Sequence, residues 1–414
     1  MPEPLFKPIR IVDVDLDGPL PDLAAMGRFG GVFCLVRKAG RPVAVAEFPV
    51  SEDTCRSDRL LREICRAVNI GSIPPRQPRP AMRLRPATVV IATRDRADSL
   101  QRCLESILEQ DHPDFDVIVV DNAPSTDETE RLVAERYAST GKIRYVREPR
   151  PGLGRAHNAG LAHVSAPVVA FTDDDVIADR RWLSALASNF AEDGSVGCVT
   201  GLILPAELDT RAQLWTERHG GFGKGFERRV YDLHANRPAA SLFPYTAGQF
   251  GSGASMAFAT GIMSKLGGFD AALGAGTLAR GGDDLAAFYS VVQCGHQLVY
   301  EPESVVWHHH RRGEDGMERQ AFGYGMGLGA YLTKVVLDRP KAALDLALGL
   351  PAGLSHMFGA ASPKNRRLPA DYPQQLVWRE RLGILNGVLG YLRSRHALRT
   401  ESPRDGVAVQ TWVR

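Results

Sequence analysis

"PVVAFTDDDVIAD" (167–179) decides how the rest of the chain is read. Val168 to Phe171 form an apolar run of strand length that leads through Thr172 into three consecutive aspartates, Asp173, Asp174 and Asp175. Neighbouring carboxylates repel: two unit charges about 4 Å apart cost about 1 kcal/mol in bulk water and about 4 kcal/mol at an effective dielectric of 20. A turn needs no such crowding, and Asp179 alone suffices to cap a helix over "RRWLSALASNF". In extended chain alternate side chains share a side, so Asp173 and Asp175 point together and Asp174 away. Two hard oxygen donors on one side suit Mg²⁺ or Mn²⁺, which bind through one or two carboxylates plus substrate phosphates. The bland alternative is a solvated acidic loop before the next helix.

Outward from this stretch the pattern is strand, loop, helix, repeated. "ATVVIAT" (87–93), "DVIVVDN" (116–122), "KIRYV" (142–146) and "PVVAF" (167–171) read as buried strands. "DSLQRCLESILEQ" places Leu100, Cys103, Leu104, Ile107 and Leu108 at helical spacing, with Asp98 as its N-cap. "STDETERLVAERY" and "GRAHNAGLAHV" supply two further helices. Such alternation predicts an α/β fold with a doubly wound, mostly parallel sheet. Ligands of these sheets bind beyond the carboxyl ends of the strands. Those ends carry Thr93-Arg94-Asp95-Arg96, Asp121-Asn122 and Asp173-Asp174-Asp175, so all three groups should meet on one rim. Each alone is as readily a turn or helix cap. The glycine-rich "RPGLGRAHNAG" (150–160) enters a helix, where backbone N–H groups favour anions. With Arg155 in it and Arg94 and Arg96 across the rim, it would hold a diphosphate without a high overall charge.

The bulk numbers agree with a soluble globular chain. At 414 residues two or three units are expected, and 44% hydrophobic with 24% charged residues is ordinary. A net charge of +2 argues against a nucleic-acid binder working by bulk electrostatics. Six scattered cysteines, none in a Cys-x-x-Cys pair, indicate free thiols in a reducing compartment rather than a disulfide frame or a zinc site. "MPEPLFKPIRIVDVD" shows no signal peptide and no stretch reaches the ~18 apolar residues of a membrane span, so the expectation is cytoplasmic, with peripheral contact at the inner face of the membrane left open.

Residues 1–70 read as a small α+β module: strands over Val32–Arg37 and Val43–Phe48 around "KAGRP", then a helix from Ser57 to Val68. "GSIPPRQPRPAMRLRP" (71–86), with five prolines and four arginines, reads as a linker. A larger unit over 87–334 follows, in halves 87–204 and 205–334, then a helical extension (335–414).

As a set and in order, "VVIATRDRADSLQRCLESIL", "VIVVDNAPSTDET", "GRAHNAGLAHVSAPVVAFTDDDV" and "GGFDAALGAGTLARGGDDL" resemble glycosyltransferase family 2 over about residues 86–312. The resemblance implies a GT-A fold and a nucleotide-diphosphate sugar donor. It implies that Thr93, Arg94 and Arg96 belong to the loop that holds the base, and that Asp121 hydrogen-bonds it, with Asn122 beside. Arg155 and Asn158 are implied to line the donor site. Asp173-Asp174-Asp175 matches the family's Asp-x-Asp motif: Asp175 on the metal, Asp173 toward ribose or sugar and metal, the role of Asp174 open. Asp283-Asp284 matches the family's Glu-Asp pair, with Asp284 as general base. His308, or His310 on the same face of extended chain, is implied to complete a Mn²⁺ or Mg²⁺ site.

The chain departs from the family pattern in places. Arg94 stands where an aromatic is common, which implies stacking on the base by guanidinium. His157 stands where arginine is frequent, and Asp283 replaces the usual Glu. The Gln-x-x-Arg-Trp motif of processive synthases is missing, which favours single transfer. The expected activity is therefore an inverting, single transfer of a sugar to an acceptor hydroxyl on a small molecule, a glycan or a lipid. Two rival readings stand beside it. A sugar nucleotidyltransferase would want a glycine-rich loop with a lysine after the first strand, where this chain has "TRDRADS". A catalytically silent binding or scaffold protein would not need intact acids at 173, 175 and 284.

The acids at 283 and 284 would also suit a helix N-terminus for structural reasons alone. "QLVYEPESVVWHHHRR" (297–312) ends in a histidine run that is elsewhere often solvated loop, with Arg311 and Arg312 placed to clamp a diphosphate. The glycines of "RGEDGMERQAFGYGMGLGAYL" read either as a lid or as a helix-packing stripe. The tail helix "QQLVWRERLGILNGVLGYLRSR" carries apolar residues with Arg379, Arg381, Arg393 and Arg395, suited to an anionic membrane surface, to its own domain or to a dimer mate.

Overall fold

A computed structural model describes residues 6–73, 84–190, 194–219, 222–359, 362, 365 and 372–401. Most of the proline- and arginine-rich stretch read as a linker, residues 74–83, lies outside the described residues.

The N-terminal segment forms a three-stranded sheet, β1 (Ile9–Asp15), β2 (Gly31–Lys38) and β3 (Arg41–Pro49), packed on α1 (Ser57–Ala67). Ala39 and Gly40, both with positive φ, make the tight turn between β2 and β3. Leu60 and Ile64 of α1 are buried one turn apart against the sheet. β1 was not expected, although "IRIVDVD" alternates as a half-buried strand does; it pairs parallel with β2. This sheet docks on the remainder through Arg37, which reaches Asp179 at 2.7 Å, and through Ile9 N–H to the Leu208 carbonyl at 2.9 Å.

The second sheet has nine strands. β4 (Ala87–Thr93), β5 (Phe115–Asn122), β6 (Ile143–Glu148) and β7 (Val168–Asp173) lie side by side and parallel in the order β7-β4-β5-β6. Helices α2 (Ala97–Leu108), α3 (Glu128–Leu132) and α4 (Leu153–Leu161) connect them. Leu100, Cys103, Leu104 and Ile107 are buried as their spacing predicts. Asp98 is not the cap: α2 begins at Ala97 after Arg96, and Asp98 sits in the first turn, where the helix dipole favours an acid.

Beyond β7 the direction changes. After β8 (Val176–Ala178) and α5 (Trp182–Ala187) come β9 (Val196–Pro205), α6 (Arg211–Arg218), β10 (Arg229–Tyr231), β11 (Met256–Ala259), α7 (Thr260–Leu266), α8 (Asp283–Gln293) and β12 (Gln297–His308). β11 enters between β7 and β9 antiparallel to both, while β12 runs parallel to β9. The parallel pattern therefore belongs to the first half, and the sheet as a whole is mixed. Two large apolar clusters fill its two faces, one around Phe171, Phe258 and Phe288, the other around Trp182, Leu104 and Val119.

The chain closes with α9 (Glu314–Asp338), α10 (Ala342–Phe358) and α11 (Gln374–Thr400). The glycines read as a lid or a packing stripe are packing. A Cβ on Gly325 or Gly329 would strike the carbonyls of Glu380 or Ile384, and one on Gly387 would lie 2.7 Å from Ala330 N. Backbone-to-backbone contact between α9 and α11 requires this absence of side chain.

Candidate active site

The strand register sets the rim. Thr93 stands opposite Asp121, and Ala92 opposite Asp173, so the ends of β4, β5 and β7 are adjacent. A second device brings in the far end of the chain. β8 pairs antiparallel with the last turn of β12, matching His308 to Val176, and His309 N–H donates to the Asp175 carbonyl at 2.9 Å. The Asp-x-Asp turn is thus stitched to the histidine run.

Asp173, Asp175 and His308 each offer a ligand atom, and these atoms lie within 4.8 Å of one another. Two carboxylate oxygens and one imidazole nitrogen fit a hard to borderline divalent ion such as Mn²⁺. The acids differ sharply in their electrostatics. Burial, then the nearby Asp175, pushes the Asp173 carboxyl up to about 7. Asp175 is also penalised by burial, but its contact with His308 (3.4 Å) and then Arg96 (3.2 Å) hold it at about 2. Asp174 accepts from Thr93 Oγ1 at 2.7 Å and from Arg96 at 2.9 Å. Its role, open in the sequence, is to tie the Asp-x-Asp turn to the end of β4.

His310 is not among the three converging donors. Its Nδ1 faces His308 Nδ1 at 3.1 Å and its Nε2 faces Glu217 Oε2 at 3.1 Å. The chain Asp175–His308–His310–Glu217 places His310 behind His308, where outer partners of a ligand histidine would stand. Of the two histidines, His308 is the one whose ring nitrogen converges with Asp173 and Asp175.

The second acid pair opens α8. Gly282, with φ of +85°, precedes it, and a Cβ there would run into the Gly327 carbonyl. Asp284 accepts from Gly253 N–H (2.9 Å) and Leu285 N–H (2.8 Å). Burial, then the adjacent Asp283, raises its carboxyl to about 6. Asp283 points elsewhere: it is buried, with Oδ2 3.5 Å from His157 Nδ1 and no hydrogen bond on either atom. His157 is wedged between Phe171 and Phe269, at centroid distances of 4.9 and 4.7 Å, so it faces the interior and not a phosphate. Of the two acids implied as catalytic, Asp284 is the one at the open edge.

Asp121 is fully buried at the end of β5. Its Oδ2 accepts from Tyr145 OH at 2.9 Å, while Oδ1 has no partner; burial raises the carboxyl to about 6. One oxygen of this carboxylate is thus buried without a hydrogen bond.

Several implied contacts are spent otherwise. Asn122 uses its amide on the Arg150 carbonyl and Gly152 N–H, holding the glycine-rich loop. Asn158 uses both polar atoms on the Phe269 backbone. Arg155 pairs with Glu401 at 2.6 Å, and Arg312 with Glu207 at 2.6 Å. These side chains already have partners, so their first duty is to hold loops in place. Arg94 is half-exposed beside Asp95 at 3.6 Å. Three residues escaped the sequence reading: Glu217, Lys224 and Tyr324. Burial lowers the Lys224 pKa, against the attraction of Asp284 and Glu217. Tyr324 of α9 meets Phe222 edge-on at 6.2 Å and feels Asp173, Asp175 and Asp284. They come from a region without a motif and from a helix read as packing, so only the fold discloses them.

Comparison with known proteins agrees with this geometry. Residues 88–254 match the family model "Glycosyl transferase family 2". The pre-mycofactocin glycosyltransferase of Mycobacterium tuberculosis is 25% identical over 271 residues, 65% of this chain and 52% of the relative. The chain thus spans about half the length of that relative. Chondroitin synthase of Escherichia coli is 30% identical over 98 residues, 24% of this chain and 14% of the relative. Among solved structures, a mannosyltransferase from Pyrobaculum calidifontis in complex with GDP-Man and Mn²⁺ superposes with a TM-score of 0.50 at 22% identity, covering 80% of this chain and 94% of that one. Residues 88–254 thus carry the sequence of a family 2 glycosyl transferase, and the fold is GT-A.

Proposed function

We propose that this glycosyltransferase moves a sugar from a nucleotide-diphosphate donor to an acceptor hydroxyl by one inverting displacement. The observation that carries the reading is Asp284: a carboxylate fixed by two backbone N–H groups, raised to about 6, and acting with Asp173 and Asp175 on the same Tyr324. A base with a pKa just under neutrality is ionised at pH 7 yet still basic enough to take a proton.

The acceptor O–H gives its proton to a carboxylate oxygen of Asp284. The acceptor oxygen's electron pair forms the bond to the anomeric carbon on the face opposite the diphosphate. The bond from that carbon to the phosphate oxygen breaks, and its pair leaves on the diphosphate. Asp173, Asp175 and His308 would hold Mn²⁺ or Mg²⁺, whose chemistry when bound is Lewis-acid neutralisation of charge on the diphosphate. Asp121 Oδ1 is the acceptor for the base, and Arg94 lies beside the loop that frames it. One transfer, rather than polymerisation, follows from the missing Gln-x-x-Arg-Trp motif.

The test is Asp284→Asn, which keeps shape and removes the base. Expected are a loss of kcat of about 10³-fold, within the range of general-base catalysis, and unchanged affinity for the nucleoside diphosphate with Mn²⁺. Product NMR of the parent enzyme should show inversion at the anomeric carbon. Retained turnover in the variant, or retained configuration, rules the mechanism out.

A further inference from the structure

α10 is apolar on nearly every side and yet hardly buried. Between its ends its titratable side chains are Asp345, tied to Tyr245 OH at 2.6 Å, and His356. Leu344, Leu348, Leu350 and Leu354 are all exposed, Leu348 by 75%. A helix apolar all round is ordinarily enclosed by protein or lipid. Here it touches the body of the protein through Ala342 and Leu346 on the core, Asp345 on Tyr245, and Gly349 and Gly353 against Leu242.

α11 repeats the theme on one face. Trp378, Leu382, Leu385, Leu389 and Leu392 follow a four-three-four-three spacing and are all exposed, Leu385 by 72%. The opposite face, with Gly383, Gly387 and Gly390, makes the close backbone contact with α9 and with Leu278–Ala279. The leucine stripe is therefore not what holds α11 in place. The two helices are joined where Arg381 donates to the Met357 carbonyl at 3.3 Å.

We propose that α10 and α11 together dock this glycosyltransferase onto an anionic lipid bilayer. Charge decides the occupant. α11 carries five arginines, at 379, 381, 393, 395 and 399, against the single acid Glu380, which faces His219 at 3.4 Å. Arg379 lies 3.7 Å from Glu318, yet in either orientation a second copy of the stripe would set arginine beside arginine, so self-pairing as a coiled coil is disfavoured. A bilayer interface accepts the whole arrangement: leucines and Trp378 enter below the headgroups, and arginines meet anionic phosphates. An apolar α10 without a charged face suits that interface better than an acidic protein groove. No helix among the described residues is long and apolar enough to cross a membrane, so the contact lies in the plane of the surface.

The experiment is flotation of the full chain with phosphatidylcholine vesicles prepared with and without phosphatidylglycerol, needing neither donor nor acceptor. Expected is binding to the anionic vesicles, weakened by salt. Leu348→Glu or Leu385→Glu should each lower it at least tenfold, with circular dichroism and melting unchanged. Arg393→Gln should lower it about fivefold, the effect of one basic residue near an anionic surface. No binding to anionic vesicles, or equal binding to neutral ones, overturns the proposal. So does a dimer in sedimentation velocity that Leu385→Glu dissolves while vesicle binding is absent.

Discussion

Two clusters of crowded carboxylates, both near enough to act on Tyr324, solve the same problem differently. Around Asp173–Asp175 the repulsion is met by cations, with Arg96 on Asp174 and Asp175 and His308 on Asp175. The carboxyls there are driven apart, to about 7 for Asp173 and about 2 for Asp175. At Asp283–Asp284 no Lys or Arg forms an ion pair among the described residues; Asp284 alone is met by two backbone N–H groups at a helix start, and burial with Asp283 beside it raises it to about 6. The first arrangement suits a site that receives a cation, the second a site that receives a proton. Like charges alone do not tell the two apart; their neighbours do.

Substitutions can break this contrast. The largest effect is expected from Asp284→Asn, whose outcome is given above. Asp175→Ala should come next: titration of a nucleoside diphosphate by calorimetry should lose its dependence on Mn²⁺, and equal affinity of the parent with and without Mn²⁺ would refute the cation role. Glu217→Gln reaches the same site from behind. It weakens the support of His310 and should reduce Mn²⁺ affinity by about tenfold, the low end for outer partners of metal ligands; an unchanged affinity would make the histidine chain merely structural.

The pH dependence sharpens the second cluster. A base with its pKa raised to about 6 is protonated, and inactive, below that pH, so kcat/KM should fall about tenfold per unit beneath it and level off above. The charge of Asp283 contributes to that elevation. Asp283→Asn should therefore move the acidic limb to lower pH, a smaller effect than the losses above. A limb that stays in place would show that the neighbour's charge is not felt. The smallest effect concerns stability. Thr93→Val leaves buried Asp174 short of one hydrogen bond and should cost about 1–3 kcal/mol in urea unfolding.

Much of this was legible before the structure. "ATVVIAT" spans β4 residue for residue, and the acids at the ends of β5 and β7 fall on the rim where strand alternation put them. Apolar runs and helical spacing report burial directly, because burial is what selects them. Partnerships between side chains and distant backbone leave no such trace. Asn122, Asn158 and Arg155 sit in the right stretch for donor contacts, yet their hydrogen bonds go to Gly152, Phe269 and Glu401. Glu217 and Lys224 reach the site from a region whose local pattern says nothing of its destination. β11 has too few residues to declare its direction, and only its neighbours β7 and β9 do so.

The ladder between β8 and β12 has a consequence for how the molecule comes into being. Asp175 and His308 meet across roughly 130 positions of chain, and pairings of such long range are the slow ones to form. During synthesis the aspartates emerge well before their histidine, so an incomplete chain carries the acids without the third donor. Any divalent ion held by all three side chains would therefore be taken up only after β12 has paired with β8. Cation uptake followed during refolding would mark the moment at which the whole sheet is assembled.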